Sequence, residues 1–141
     1  MIACDTNILI FAHRVQAPEH IAAQKALQAA AAYPGGWLIP SPCVAEFFSI
    51  VTSASRQQRA SAPAEAIAFL SSLIAAGAEI ALPRIGFAAR LLIRCEQLGV
   101  VGVAVFDAQI ALIALEAGAT EIWTHDRNFT TIPGLAVHDP L

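Results

Sequence analysis

Met1-Ile2-Ala3-Cys4-Asp5-Thr6-Asn7-Ile8-Leu9-Ile10-Phe11 opens the chain with a short apolar run, one acid, two polar residues and a second apolar run. Four apolar or small residues stopped by an acid read as a buried strand, and Thr6-Asn7 as the start of a helix. The same unit recurs downstream. Trp37-Leu38-Ile39 is a second short strand, and Ser41-Pro42 opens a helix after it, with Ser41 as cap and Pro42 in the first turn. Glu79 to Leu82 forms a third strand closed by Pro83, Glu121 to Thr124 a fourth, and Ala136 to His138 a candidate fifth. Helices are expected between them. His20 to Ala32 is rich in helix formers, and the Ser41 helix carries Val44, Phe47, Phe48 and Val51 on its apolar side. Pro63 begins a helix with Ile67, Leu70 and Ile74 on one stripe. Ile85 to Leu98 turns Phe87, Leu91 and Leu98 inward, with Arg90 and Arg94 solvated, and Asp107 to Ala117 is the last helix. Short apolar strands alternating with helices imply an α/β fold with a mainly parallel sheet of four to five strands, covered on both faces. Ligands of such sheets collect at the carboxyl ends of the strands.

The chain has 141 residues, 57% hydrophobic and 13% charged, which suits one packed domain spanning residues 1–141 and excludes a disordered polyelectrolyte. The uncharged stretch from Ala26 to Ala45 is broken by Pro34, Gly35, Gly36, Pro40 and Pro42, so no membrane-spanning helix is expected. No basic segment precedes an apolar one at the start, and a cytoplasmic, soluble protein is the expectation. Cys4, Cys43 and Cys95 have no paired spacing and read as reduced core thiols. Eight basic residues against eleven acidic ones leave a net charge of −3. A broad basic surface for gripping nucleic acid is thereby excluded, and any such chemistry needs positive charge from elsewhere. The scarcity of charges also suggests helix faces covered by a partner chain.

Four acids fall where a parallel sheet gathers its ligands. Asp5 ends the first strand and Asp126 lies just past the fourth, while Glu46 and Asp107 sit in the opening turns of apolar helices. Capping and turn roles would explain each one separately. Together they place four carboxylates on one rim. Two carboxylates about 5 Å apart repel by roughly 3 kcal/mol at an effective dielectric near 20. Six such pairs exceed what a domain of ordinary stability, about 5–15 kcal/mol, tolerates. Either some of the acids are protonated or a divalent cation sits among them, and hard oxygen donors favour Mg²⁺ or Mn²⁺.

Asp5-Thr6-Asn7 behind a first strand, Glu46 on the third helix, Asp107 opening a late helix and Thr124-x-Asp126-x-x-Phe129 resemble the PIN-domain pattern. Their order and spacing, and the length of the chain, are similar to those of VapC-type toxins from bacterial toxin–antitoxin pairs. The resemblance implies a three-layer α/β/α PIN-like fold and a Mg²⁺-dependent endoribonuclease, with Mn²⁺ as a substitute ion. It implies a homodimer, an RNA substrate and a small antitoxin protein that blocks the site. By the same resemblance Asp5, Glu46, Asp107 and Asp126 are the catalytic, metal-holding quartet, and Thr6, Asn7 and Thr124 are the supporting polar residues. His125 occupies a variable position of the pattern. Arg14, Arg56, Arg59 and Arg127 are candidate RNA contacts, each with solvated surface as the plainer explanation.

Other acid-clustering folds fit less well. A phosphoacceptor receiver needs a lysine at a late strand end, and Lys25, the chain's one lysine, stands in an early helix. A haloacid-dehalogenase-like phosphatase needs D-x-D after its first strand, where Asn7 holds the second place. The remaining alternative is a catalytically silent PIN-like interaction module whose acidic pocket docks a partner's basic residue.

Overall fold

The computed structural model describes residues 1–56 and 58–141. Five strands form one sheet: β1 (Ile2–Cys4), β2 (Trp37–Pro40), β3 (Ala78–Ala81), β4 (Glu121–Trp123) and β5 (Ala136–His138). They lie in the order β3-β2-β1-β4-β5, and every neighbouring pair is parallel. A parallel neighbour is reached only through a crossover. The first three crossovers each use two helices. α1 (Thr6–His13) and α2 (His20–Ala31) join β1 to β2, α3 (Ser41–Val51) and α4 (Pro63–Ala75) join β2 to β3, and α5 (Phe87–Leu98) and α6 (Ala104–Glu116) join β3 to β4. The result is the three-layer α/β/α arrangement expected from the alternation of elements. Among the described residues, no helix is long and apolar enough to cross a membrane.

The strand order places the site. Connections run outward from β1 through β2 to β3, then return to β4 and β5 on the other flank. The order therefore reverses between β1 and β4, where the flanking loops part and leave a crevice at the carboxyl ends. Asp5 follows β1 there and Thr124 follows β4, and the Asp5 N–H donates to Trp123 O at 3.0 Å, tying the two exits together. Beneath them Ile2, Leu38, Ile39 and Ile122 of the sheet pack with Ile8, Leu9, Phe47 and Ile113 of the helices, all fully buried. Each such side chain contributes about 1.5–3 kcal/mol of apolar burial.

Several expected details are corrected. The residue capping α3 is Pro40, not Ser41, which already lies in the first turn and makes no capping bond. Pro42 lacks an N–H in that turn, so one fewer donor needs a cap. On α4 the inward residues are Ala66 and Leu73, while Ile67 and Ile74 are 56% and 52% exposed. The helix turns the neighbouring stripe inward, with Phe69 stacked on Phe47 of α3 and the expected Leu70 partly buried against the core. On α5 Phe87 and Cys95 point inward, Leu91 is partly buried, and Leu98 is exposed. α6 begins at Ala104, three residues earlier than expected, with Val103 as its cap. Ala108 and the run from Ile110 to Ala114 are all buried on this helix, which makes α6 a central helix packed nearly all round.

Candidate active site

Asp5 is almost fully buried, and both of its carboxylate oxygens are engaged. The Thr6 N–H donates to Oδ1 at 2.7 Å, and the Cys43 thiol donates to the same oxygen at 3.7 Å. Asn7 Nδ2 donates to Oδ2 at 2.8 Å and the Thr124 hydroxyl at 2.7 Å. Four donors from α1, α3 and the β4 exit thus orient one carboxylate. Burial pushes the Asp5 carboxyl above its ordinary value, the Thr124 and Thr6 hydrogen bonds pull it back, and the charges of Glu46 and Asp107 push it up again.

Thr124 is the hub beneath it. Its hydroxyl oxygen donates to Asp5 and accepts from Asn7 Nδ2 at 2.8 Å and from the Asp126 N–H at 3.1 Å. Asn7 completes the lattice, since its Oδ1 accepts the His125 N–H at 2.9 Å. A residue on the first helix therefore reaches across the crevice to fix the backbone after the fourth strand.

Three further acids ring the opening, each held by one oxygen. Glu46 Oε2 accepts from the Thr6 hydroxyl at 2.6 Å. Asp107 Oδ2 accepts from the Thr130 N–H at 3.1 Å. Asp126 Oδ1 accepts from the Asn128 N–H at 2.8 Å. The other oxygen of each has no protein donor among the described residues. Asp107 therefore does not cap α6, as an isolated acid near a helix start would. It secures the loop after β4, and burial, with Asp126 and Glu46 adding charge, raises its carboxyl above the ordinary value.

Asp5, Thr6, Asn7, Glu46, Asp107 and Asp126 line one cleft of about 200 Å³, with Ile10 and Ile50 as its apolar wall. All four expected acids are brought together, and Thr6 and Asn7 with them. Thr124 lies underneath and is fully buried. The salt bridges among the described residues are Arg90–Glu116 and His125–Asp139, so no basic side chain neutralises the four acids. Nor do any three of them stand close enough to form a finished metal-ligand cluster among the described residues. They border a space instead.

By its sequence Cys43 is an ordinary core thiol, yet in the fold it faces Asp5. Its spacing to Glu46, three residues along α3, was the available signal. Burial and the Asp5 charge hold this thiol well above its usual value, so it is a donor and not a nucleophile. His125 turns away from the cleft, with Nδ1 at 2.9 Å from Asp139 and its ring edge-on to Phe11.

The PIN domain family model matches residues 2–135. The chain belongs to the PIN domain family. This PIN domain shares its fold with VapC20 of Mycobacterium tuberculosis, described as a sarcin–ricin loop cleaving toxin. The TM-score is 0.68 at 12% identity, covering 92% of each chain. VapBC2 from Rickettsia felis, solved bound to a DNA fragment from its promoter, superposes with a TM-score of 0.66 at 21% identity over 98% of each chain. A comparison with curated protein sequences finds no match.

Proposed function

We propose that residues 1–141 act as one PIN unit, a divalent-metal-dependent endoribonuclease that serves as the toxin of a toxin–antitoxin pair. The observation that carries this reading is the cleft itself. Four carboxylates share it without a basic side chain beside them among the described residues, and three of them keep one oxygen free of protein donors. An all-oxygen set of this kind fits Mg²⁺ or Mn²⁺ better than a soft metal. Asp5, Asp107, Asp126 and Glu46 would hold the ion directly or through water. Bound there, it supplies the positive charge that offsets the phosphate and acidifies a water molecule.

The chain's own groups do the rest. The four donors to Asp5 favour its ionised form, against the burial and neighbouring charges that push its carboxyl up. Thr6 holds Glu46 Oε2, leaving Oε1 to orient the attacking water and take its proton. In-line attack on phosphorus then leaves a 5′-phosphate and a 3′-hydroxyl. The likeness to VapC20 and VapBC2 supports an RNA substrate and a small antitoxin as partner. Val101, Val103 and Phe106, exposed at the start of α6, support a second copy of the chain as a further partner.

The test is incubation of the purified, partner-free protein with total RNA in Mg²⁺, in EDTA, and as Asp5→Asn. Cleavage in the first condition alone is expected. Equal cleavage in all three removes the enzyme reading. Metal binding without any cleavage favours the catalytically silent module.

A further inference from the structure

Two openings lie at the ends of the wall that α1 and α3 form, the acidic cleft at one and a second pocket at the other. On α1 the cleft residue Asn7 is followed by Ile10, and on α3 Glu46 is followed by Ile50, at spacings that keep to one helix face, and Arg14 caps the far end of α1. Arg14 closes the wall between the two ends, since its Nη2 donates to Ile50 O at 3.2 Å and Ile50 lines the cleft. Beyond that wall lies a second, polar pocket of about 190 Å³, bordered by Arg14, Arg59, His13, Ser61, Gln16 and Gln58.

This pocket is built. His13 Nε2 lies 2.8 Å from Ser61 Oγ, and the His13 ring stands edge-on to Phe47 and Phe69, so the floor is fixed by the core. Arg14 is half-buried, and among the described residues neither it nor Arg59 has a carboxylate within salt-bridge distance. Among the described residues Gln58 Oε1 is buried without a hydrogen-bond partner. Two guanidinium groups without a carboxylate partner among the described residues, in a pocket otherwise lined by polar side chains such as Gln16, Gln58 and Ser61, suit a ligand that brings negative charge and hydroxyls.

We infer that the Arg14–Arg59 pocket is a backbone subsite for single-stranded RNA, taking a phosphate and its ribose from the strand whose scissile phosphate lies in the acidic cleft. The inference rests on the nuclease reading for its substrate. Eight residues of helix separate Asp5 from His13, about 12 Å along the axis. A stacked strand at about 3.4 Å per phosphate covers that distance in about four nucleotides. The chain's overall charge of −3 makes the placement informative. The surface as a whole repels RNA, and of the six arginines without a salt bridge among the described residues, Arg14 and Arg59 share one pocket near the cleft. An acidic peptide shares the charge, and the polyglutamate arm of the test separates it from RNA.

The test is fluorescence anisotropy of a labelled 12-nucleotide single-stranded RNA, titrated in EDTA so that nothing is cut, between 50 and 200 mM salt. Wild type, Arg14→Gln/Arg59→Gln and Arg94→Gln, a charge loss on α5, are compared. The double variant is expected to bind at least tenfold more weakly. Its salt slope should fall by about 0.7 for each phosphate that the protein no longer neutralises. Arg94→Gln should match wild type. Arg14→Lys, which keeps the charge, should retain the slope if the double variant folds poorly. Identical affinity and slope in the double variant and in Arg94→Gln overturns the subsite. So does a double variant that binds RNA normally but loses a polyglutamate peptide. Wild-type cleavage in Mg²⁺ is scored separately: arginine-dependent binding without cleavage refutes the nuclease reading and leaves the subsite standing.

Discussion

Replacing Thr124 by valine keeps the shape of a fully buried side chain and removes one oxygen. That oxygen makes three hydrogen bonds, to Asp5 Oδ2, Asn7 Nδ2 and the Asp126 N–H. A hydrogen bond to a charged group contributes about 1.5–3 kcal/mol, and each neutral one about 0.5–1.5 kcal/mol. Because the three share one atom and Asn7 can tilt toward Asp5, their losses do not add fully. The expected cost is about 2–4 kcal/mol, or about 10 °C in melting temperature for a chain of this length. Thr124→Ser retains the hydroxyl and should cost about 1 kcal/mol for the lost methyl group. The second readout is Mg²⁺. The Thr124 hydrogen bond pulls the Asp5 carboxyl down, so its loss raises that carboxyl further and disfavours the ionised form. Mg²⁺ at a fixed concentration should therefore raise the melting temperature less in Thr124→Val than in wild type, measured by thermal unfolding with and without EDTA. A valine variant within 0.5 kcal/mol of wild type, with an unchanged Mg²⁺ response, would refute the hub role of Thr124.

Asp107→Asn should stabilise the metal-free protein by about 1 kcal/mol at pH 7, since it keeps an oxygen for the Thr130 N–H and removes a charge beside Asp126 and Glu46. A carboxyl whose folded value is raised binds more protons folded than unfolded, so its contribution to stability is greatest below the unfolded value of about 3.8 and is lost as pH rises through the folded value. The gain from Asp107→Asn, read as the urea midpoint in EDTA, should accordingly shrink from pH 7 toward pH 4; a constant gain contradicts the assignment. All three thiols are buried, and burial with the adjacent Asp5 charge pushes Cys4 up to about 12. A disulfide reagent should consequently label none of them in the native protein and all of them in urea. Phe106→Arg places a charge on a ring that is 66% exposed, and size-exclusion chromatography should show it as a monomer if this face joins two copies.

The elements legible in the sequence are those with a local cause. β1 and β4 are too short and apolar to lie anywhere but inside a covered sheet, and the acids and threonines at their ends mark where the chain leaves it. The details that differ are choices between faces. Ile67 and Ile74 are more apolar than Ala66, yet the alanine is buried, because the face that α4 turns inward depends on packing such as Phe69 on Phe47 of α3 and not on the hydropathy of α4 alone. The beginning of α6 is hidden for a related reason: Val103 to Phe106 suits a strand as well as a helix, and packing around the whole of α6 settles it.

In the site, residue identity and order along the chain were enough to single out the four acids as candidates, because carboxylates on apolar elements are costly without a shared purpose, whereas Thr6, Asn7 and Thr124 entered through the resemblance to the PIN-domain pattern. Which oxygens are held and which are free followed only from the folded chain. Hydrogen bonds such as Asn7 to Thr124 and Cys43 to Asp5 join residues 117 and 38 positions apart. The pocket that gathers His13 and Arg14 with Arg59 and Ser61 likewise exists only in the folded chain. Directionality and a reach of about 3 Å make such interactions a property of three-dimensional placement, which no one-dimensional spacing encodes.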